Sequence, residues 1–339
     1  CSSLKIRHSP KTVEEYSKII KYFLIFLESL PESKFTSLDD LILSINDRSQ
    51  LLPFIEQQKL NISQSTVNSR EIVLCGFFNW LTTEEAGHIK TEITNPYRSG
   101  KLITRGTHNN IVKMVTRSDL IKLLNGYHNE SERCFIHFLF DTGLRISEAI
   151  NLKVKHLPDI SSFPEDTEYY KITVPGAKGV AGRIKYREAI ISAPVLNRIL
   201  MYHKSYEYIT DQWKHQPDEK PVFLSVNSKE LNYKSVFKQM KNAAKRSGLD
   251  PSKISPHKMR HSCAYYYLVS GLGKSYIDNF ILTSSCLGHS SFKSTETYVR
   301  IPPALISTTV TDKHQEAERI FSETFLPAIR QKENRGHTI

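Results

Sequence analysis

The sequence predicts a mainly α-helical protein of two domains with a small antiparallel β-sheet. Three observations predict it. The 339 residues exceed what one ordinary core needs and suffice for two. Apolar residues recur at helical spacing behind N-capping residues over most of the chain. A single stretch instead has two β-rich arms around a glycine-rich tip.

Thr12-Val-Glu-Glu15 has the form of a capping box, and Val13, Tyr16, Ile20, Phe23, Leu24 and Leu27 follow on one helical face. Ser37 caps a second helix and the segment after Pro53 makes a third. Ser65 opens a fourth, running through Phe77, Phe78, Trp80 and Leu81. Together they define a helical domain over residues 1–100. Apolar periodicity lapses between Asn95 and Asn110, where Arg98, Lys101 and Arg105 occur, so residues 101–112 read as a basic linker.

A larger domain, 113–305, opens on a helix capped at Thr116. The apolar run from Cys134 to Phe140 leads into Asp141-Thr-Gly-Leu-Arg-Ile-Ser-Glu148, where Gly143 supplies a turn and Arg145 starts the next helix. Tyr169 to Val174 and Ile184 to Ile191 form the β-hairpin arms, with Gly176, Gly179 and Gly182 in the connecting loop. Helices resume at Ala193, interrupted by strand-like Pro221-Val-Phe-Leu224. Within the tail, 306–339, Asp312 to Lys332 reads as an amphipathic helix with Ala317, Ile320, Phe321 and Phe325 on one side. It has no evident place in the core of its own chain, so it is expected to pack on a neighbouring protomer.

Lysine and arginine number 46 against 35 acidic residues, a net charge of +11, as expected of a protein that sits on a polyanion. Five cysteines, Cys1, Cys75, Cys134, Cys263 and Cys286, are scattered without a C-x-x-C pair, which fits reduced thiols in a cytoplasmic protein. No apolar run is long enough to span a bilayer, so no membrane partner is expected. The sequence opens on Cys1 rather than Met, which leaves room for a further module upstream.

Four separated pieces stand out: Thr142-Gly-Leu-Arg145-Ile-Ser-Glu148, the hairpin lysine Lys178, Ser255-Pro-His257-Lys-Met-Arg260-His261, and Leu287-Gly-His289 followed by Tyr298. In these the chain resembles the tyrosine recombinases (phage integrases). That family carries a G-L-R-x-S-E box, a hairpin lysine, an H-x-x-R-H box, an L-G-H box and a tyrosine nine residues after the last histidine, in this order. The specific resemblance spans Thr116 to Ile301. Thr12 to Gly100 matches more loosely, as the helical core-binding domain that the family places ahead of its catalytic domain.

The resemblance implies a two-domain clamp on duplex DNA and a metal- and ATP-independent exchange through a 3′-phosphotyrosine link. Attack on a phosphodiester builds negative charge on the non-bridging oxygens, which fixed cations must meet. Arginine suits this task because its planar fork grips two oxygens and keeps its proton, so Arg145 and Arg260 are assigned there. Tyr298 is the implied nucleophile, His257 the base that takes its proton, and His289 a hydrogen-bond donor to the phosphate. Lys178 protonates the leaving 5′ oxygen; Lys185 is its rival, because the loop here is longer than the family form. Glu148 orients basic side chains. The stretch between Gly271 and Cys286 is also longer than in the family, with Gly273 to Asp278 as the insertion.

Plainer readings stand beside these. Tyr298 is one of 16 tyrosines and could simply pack a helix. His257 and His261 lie four apart as a metal pair would, but a zincin needs Glu where Lys258 stands and no third ligand is apparent, so neither metal nor cofactor is expected. His261 reads as a structural histidine, and Arg145 with Glu148 as an ordinary ion pair. The expected partners are two DNA duplexes bearing recombination sites, held by a dimer per site and a tetramer overall, with accessory DNA-bending or directionality factors. The expected role is integration or excision of a mobile element. Alternatives are a telomere resolvase, a type IB topoisomerase-like strand transferase, or a non-catalytic DNA-binding regulator.

Overall fold

The computed structural model describes residues 10–30, 37–83, 94–102, 113–176, 186–209, 217–270, 272–288 and 313–325. The chain divides into two compact units, Cys1–Asn109 and Asn110–Ile339. The described residues are mainly helical, with one two-stranded antiparallel sheet.

The first unit holds α1 (Pro10–Glu28), α2 (Leu38–Ser44), α3 (Leu52–Asn61) and α4 (Gln64–Leu81). Two starts differ from the sequence reading. α1 begins at Pro10, ahead of the Thr12 box, because proline lacks the N–H that a first turn leaves unpaired anyway. α4 is capped by Ser63, not Ser65, its hydroxyl accepting from the Thr66 N–H at 3.3 Å. Ser37 caps α2 as expected, accepting from the Asp40 N–H at 3.1 Å. The core is aromatic: Phe23 meets Phe54 and Phe78 edge-on at centroid distances of 5.3 and 6.0 Å.

The second unit opens with α5 (Arg117–Asn125), capped by Thr116, and α6 (Glu130–Thr142), buried along nearly its whole length. After α7 (Ile146–Ile150) come β1 (Tyr169–Pro175) and β2 (Tyr186–Ser192), paired from Tyr169↔Ser192 to Pro175↔Tyr186. Ile172, Val174, Ala189 and Ile191 point from this hairpin into the main core. Its tip, with Lys178 and Lys185, lies outside the described residues. Then follow α8 (Ala193–His203), the short α9 (Tyr206–Ile209), α10 (Tyr233–Arg246), α11 (Pro256–Leu268) and α12 (Tyr276–Leu287). Pro221 to Leu224 makes only isolated bridges, Lys153 to Pro221 and Leu224 to Glu230; what reads as a strand is a buried connector whose Val222 and Phe223 fill the core.

The last described element, α13 (Lys313–Thr324), corrects the expectation that it lacks a place in its own core. Ala317 and Ile320 are buried in the main cluster. Two buried arginines fix its end. Arg198 pairs with Glu130 at 2.6 Å and donates to the Thr324 hydroxyl at 2.8 Å, while Arg133 donates to the Thr324 carbonyl at 2.9 Å. A helix C-terminus leaves carbonyls unpaired, and buried guanidinium groups are what make this seat specific. Among the described residues no helix is long and apolar enough to cross a membrane.

Candidate active site

Two left-handed glycines build the site. α6 ends at Gly143 (φ +61°), whose N–H donates to the Leu139 carbonyl, and this reversal delivers Arg145 to the start of α7. A Cβ on Gly143 would fall 2.7 Å from Leu287 and 2.8 Å from the Cys263 sulfur, so the turn is also where α6, α11 and α12 touch. Gly143→Ala therefore combines backbone strain with overpacking and is expected to cost about 2–4 kcal/mol. Gly248 (φ +70°) has nothing within 4 Å of its ideal Cβ, so Gly248→Ala carries only the backbone part, about 1 kcal/mol. Thermal unfolding of the two variants side by side checks this; equal shifts would refute the close packing at Gly143.

Arg145 is fastened to Glu148 twice: its backbone N–H donates to Oε2 at 2.9 Å and its Nη1 to Oε1 at 3.0 Å. The arginine side chain remains 47% exposed, whereas that of Glu148 is 2% exposed. A carboxylate so deeply buried needs cations, and a second arrives from β2, where Arg187 Nη2 donates to Glu148 Oε2 at 2.8 Å. Burial pushes the Glu148 carboxyl up, but the hydrogen bond and charge of Arg187, then Arg145, bring it below the usual range.

α11 begins with Ser255 accepting from the Lys258 N–H at 3.3 Å and with Pro256 in the first turn. That start puts His257, Arg260 and His261 together at one end of the helix. Arg260, buried, donates Nη1 to the Gly143 carbonyl at 2.7 Å and Nη2 to the Leu287 carbonyl at 2.5 Å. One side chain thus joins the T-G-L-R turn to the L-G-H box. The His257 and His261 rings lie edge to face at 4.1 Å between centroids. Burial, then the charges of Arg260 and Arg145, hold the His257 imidazole below the usual histidine range, which places it within the field of both guanidinium groups.

α12 ends at Gly288 (φ +62°), with the Gly288 carbonyl 3.5 Å from Arg145 Nη2. Of the residues expected from sequence, the fold gathers Arg145, Glu148, His257, Arg260 and His261. Lys178, Lys185, His289 and Tyr298 fall outside the described residues. Among the described residues no group of three or more His, Cys, Asp or Glu is placed to hold a metal ion.

Arg187 is the residue that sequence reasoning missed. The signal was present: it falls on the alternating inner face of β2 with Ala189 and Ile191, and an arginine at such a position must be paired.

A site of fixed guanidinium groups beside an imidazole held below its usual range, hung on a helical unit, suits a tetrahedral anion such as a phosphodiester. Comparison with known proteins gives the class its family. Residues 107–303 match the family model described as "Phage integrase family". The chain is 27% identical over 319 residues to the tyrosine recombinase XerC of Caldanaerobacter subterraneus subsp. tengcongensis, covering 88% of this chain and 80% of that protein. Its fold is similar to that of the XerH site-specific recombinase bound to a palindromic difH substrate in a post-cleavage complex (TM-score 0.62, 20% identity, 85% of this chain and 76% of the other). It is similar also to the Tn1549 transposon integrase in complex with circular intermediate DNA (TM-score 0.58, 17% identity, 88% and 92%). The chain belongs to the phage integrase family and is a tyrosine recombinase, an enzyme of site-specific DNA cleavage and strand transfer.

Proposed function

We propose that this recombinase cuts each strand by attack of Tyr298 on a backbone phosphate, with Arg145 and Arg260 on the non-bridging oxygens and His257 as the base. The observation that carries this is the convergence at Arg260, whose two carbonyl contacts bring the arginine turn, the histidine helix and the segment leading to His289 to one place. The Tyr298 oxygen forms a bond to phosphorus as the bond to the 5′ oxygen breaks. The phenol proton passes to His257, and the 5′ oxygen takes a proton from Lys178, with Lys185 the alternative donor. His289 donates a hydrogen bond to the same phosphate. The 3′-phosphotyrosine conserves the bond energy, so resealing onto a second strand is the same step reversed.

Two strand exchanges between two duplexes need four nucleophiles, hence four protomers, two per site. Each protomer closes its two units, 1–100 and 113–305, around the duplex, with residues 101–112 crossing between them. The net charge of +11 supports such a footprint. So does a lysine group beside the site: burial, then the charges of Lys113 and Lys241, lower Lys258 below the usual range. The substrate we assign is a mobile element on the nucleoid, since excision and integration are two directions of one conservative exchange.

The test is a duplex nicked beside the cut, so that the short 5′ fragment diffuses away and traps the intermediate. Wild type should give a covalent adduct, and digestion should place the DNA on the peptide containing Tyr298; DNA on any other residue would overturn the assignment. Product strands drawn from two different duplexes separate recombination from relaxation or hairpin closure.

A depressed His257 has a consequence for pH. Its neutral, proton-accepting form persists further as pH falls, so the acid limb of adduct formation at sub-saturating protein should lie below the ordinary histidine value. His257→Gln should remove that acid limb. A wild-type limb centred on the ordinary histidine value would contradict the geometry.

A further inference from the structure

Arg187 has no role in the chemistry above, yet it touches three parts of the site. It stands on β2, the strand that returns from the hairpin tip. Its Nη2 donates to Glu148 Oε2 at 2.8 Å and its Nη1 donates to the Cys286 carbonyl, in the last turn of α12. Its Cδ and Nε lie against Gly288, where an ideal Cβ would fall 2.6 Å from each. Any residue but glycine at 288 would thus push Arg187 aside, next to the position of His289.

The charges explain what this contact does. Glu148 is a single buried carboxylate facing two guanidinium groups, Arg145 on Oε1 and Arg187 on Oε2. With Arg187 in place, the Arg145 guanidinium meets one carboxylate oxygen and leaves much of the side chain exposed. Without it, the buried Oε2 would lack its side-chain cation, and the nearest source is Arg145, drawn inward and off the phosphate. The last carbonyls of α12 would lose a cationic cap at the same time.

We propose that Arg187 is a positioning residue of the cleavage step: through Glu148 it holds Arg145 outward for the phosphate, and through the Cys286 carbonyl it fixes the helix end ahead of His289. Its contacts are with these groups: Nη2 meets Glu148 and Nη1 the Cys286 carbonyl, and its side chain is 15% exposed. The proposal rests on the Tyr298 reading above.

The experiment uses the full chain and the nicked duplex, with single-turnover adduct rate, duplex affinity and melting temperature measured for each variant. Arg187→Gln should form adduct about 10- to 100-fold more slowly with affinity within about threefold of wild type. Arg187→Lys keeps the charge beside Glu148 with one contact fewer and should fall between the two, about two- to tenfold slower than wild type. Glu148→Gln combined with Arg187→Gln should be no slower than the slower single variant, because both break one linkage, whereas independent structural damage would multiply. Should Arg187→Gln fail to fold, Arg187→Lys decides: normal melting with a slowed adduct supports the role, and a wild-type rate overturns it. A wild-type rate in Arg187→Gln, or multiplicative loss in the double variant, likewise overturns it. Absence of an adduct with wild type would remove the Tyr298 reading and this proposal together; a normal wild-type adduct with an unaffected Arg187→Gln removes this proposal alone.

Discussion

Arg260→Ala should bind duplex DNA nearly as well as wild type and form the covalent adduct about a thousandfold more slowly, or worse. Two losses combine. The first is chemical: a fixed guanidinium aimed at developing charge in a secluded site is worth far more than the same group in water, because it needs no reorganisation when the charge appears. The second is architectural: Arg260 donates to the Gly143 and Leu287 carbonyls, and its removal strips both of that donor in the interior. Arg260→Lys separates them, since an ammonium restores charge but not two contacts in a fixed fork. It should recover part of the melting temperature and little of the rate. His257 adds an internal check. Arg260 is among the causes holding that imidazole down, so in Arg260→Ala the acid limb of the residual activity should move to higher pH. Adduct formation within tenfold of wild type would show that Arg260 does not meet the phosphate.

Tyr298→Phe should give no covalent adduct at all, while a gel-shift titration on intact duplex stays within about twofold of wild type. The change removes one oxygen and leaves the ring, so packing and charge are preserved. A phenol is weakly nucleophilic at neutral pH, with an ordinary pKa of about 10, and becomes useful only where cations or a base draw off its proton. A cluster of the Arg145, Arg260 and His257 kind is suited to supply such a field. The loss should therefore exceed about ten-thousandfold, set by the detection limit of a denaturing gel. An adduct persisting in this variant would move the nucleophile to another residue and remove the basis for every role assigned around it.

Periodicity and boxes made much of this protein legible without coordinates. The helices of the first unit, the cap at Thr116, the glycine turn at 143 and the hairpin arms follow from local rules, because capping, helical spacing and positive φ are properties of a few neighbouring residues. Where those rules failed, competition between neighbours decided: Ser63 displaced Ser65 as a cap, and Pro10 extended α1 past Thr12. The false strand at Pro221 to Leu224 has the composition of one, but pairing needs a partner at ladder distance, which composition does not carry.

By itself, then, the sequence pointed to the candidate residues and, for Arg145, His257 and Arg260, to the kind of element on which each is mounted, because side-chain type and local propensity are encoded within a turn or two. Tertiary structure alone decided how the pieces are joined. Arg260 ties carbonyls that lie 117 and 27 residues from it, Arg187 reaches Glu148 across 39 residues and Cys286 across 99, and Thr324 is held by arginines 126 and 191 positions upstream. Such contacts are set by how whole elements pack around a shared core. A buried guanidinium then takes whatever acceptor that packing presents, since leaving it unpaired would cost more than any local preference could return.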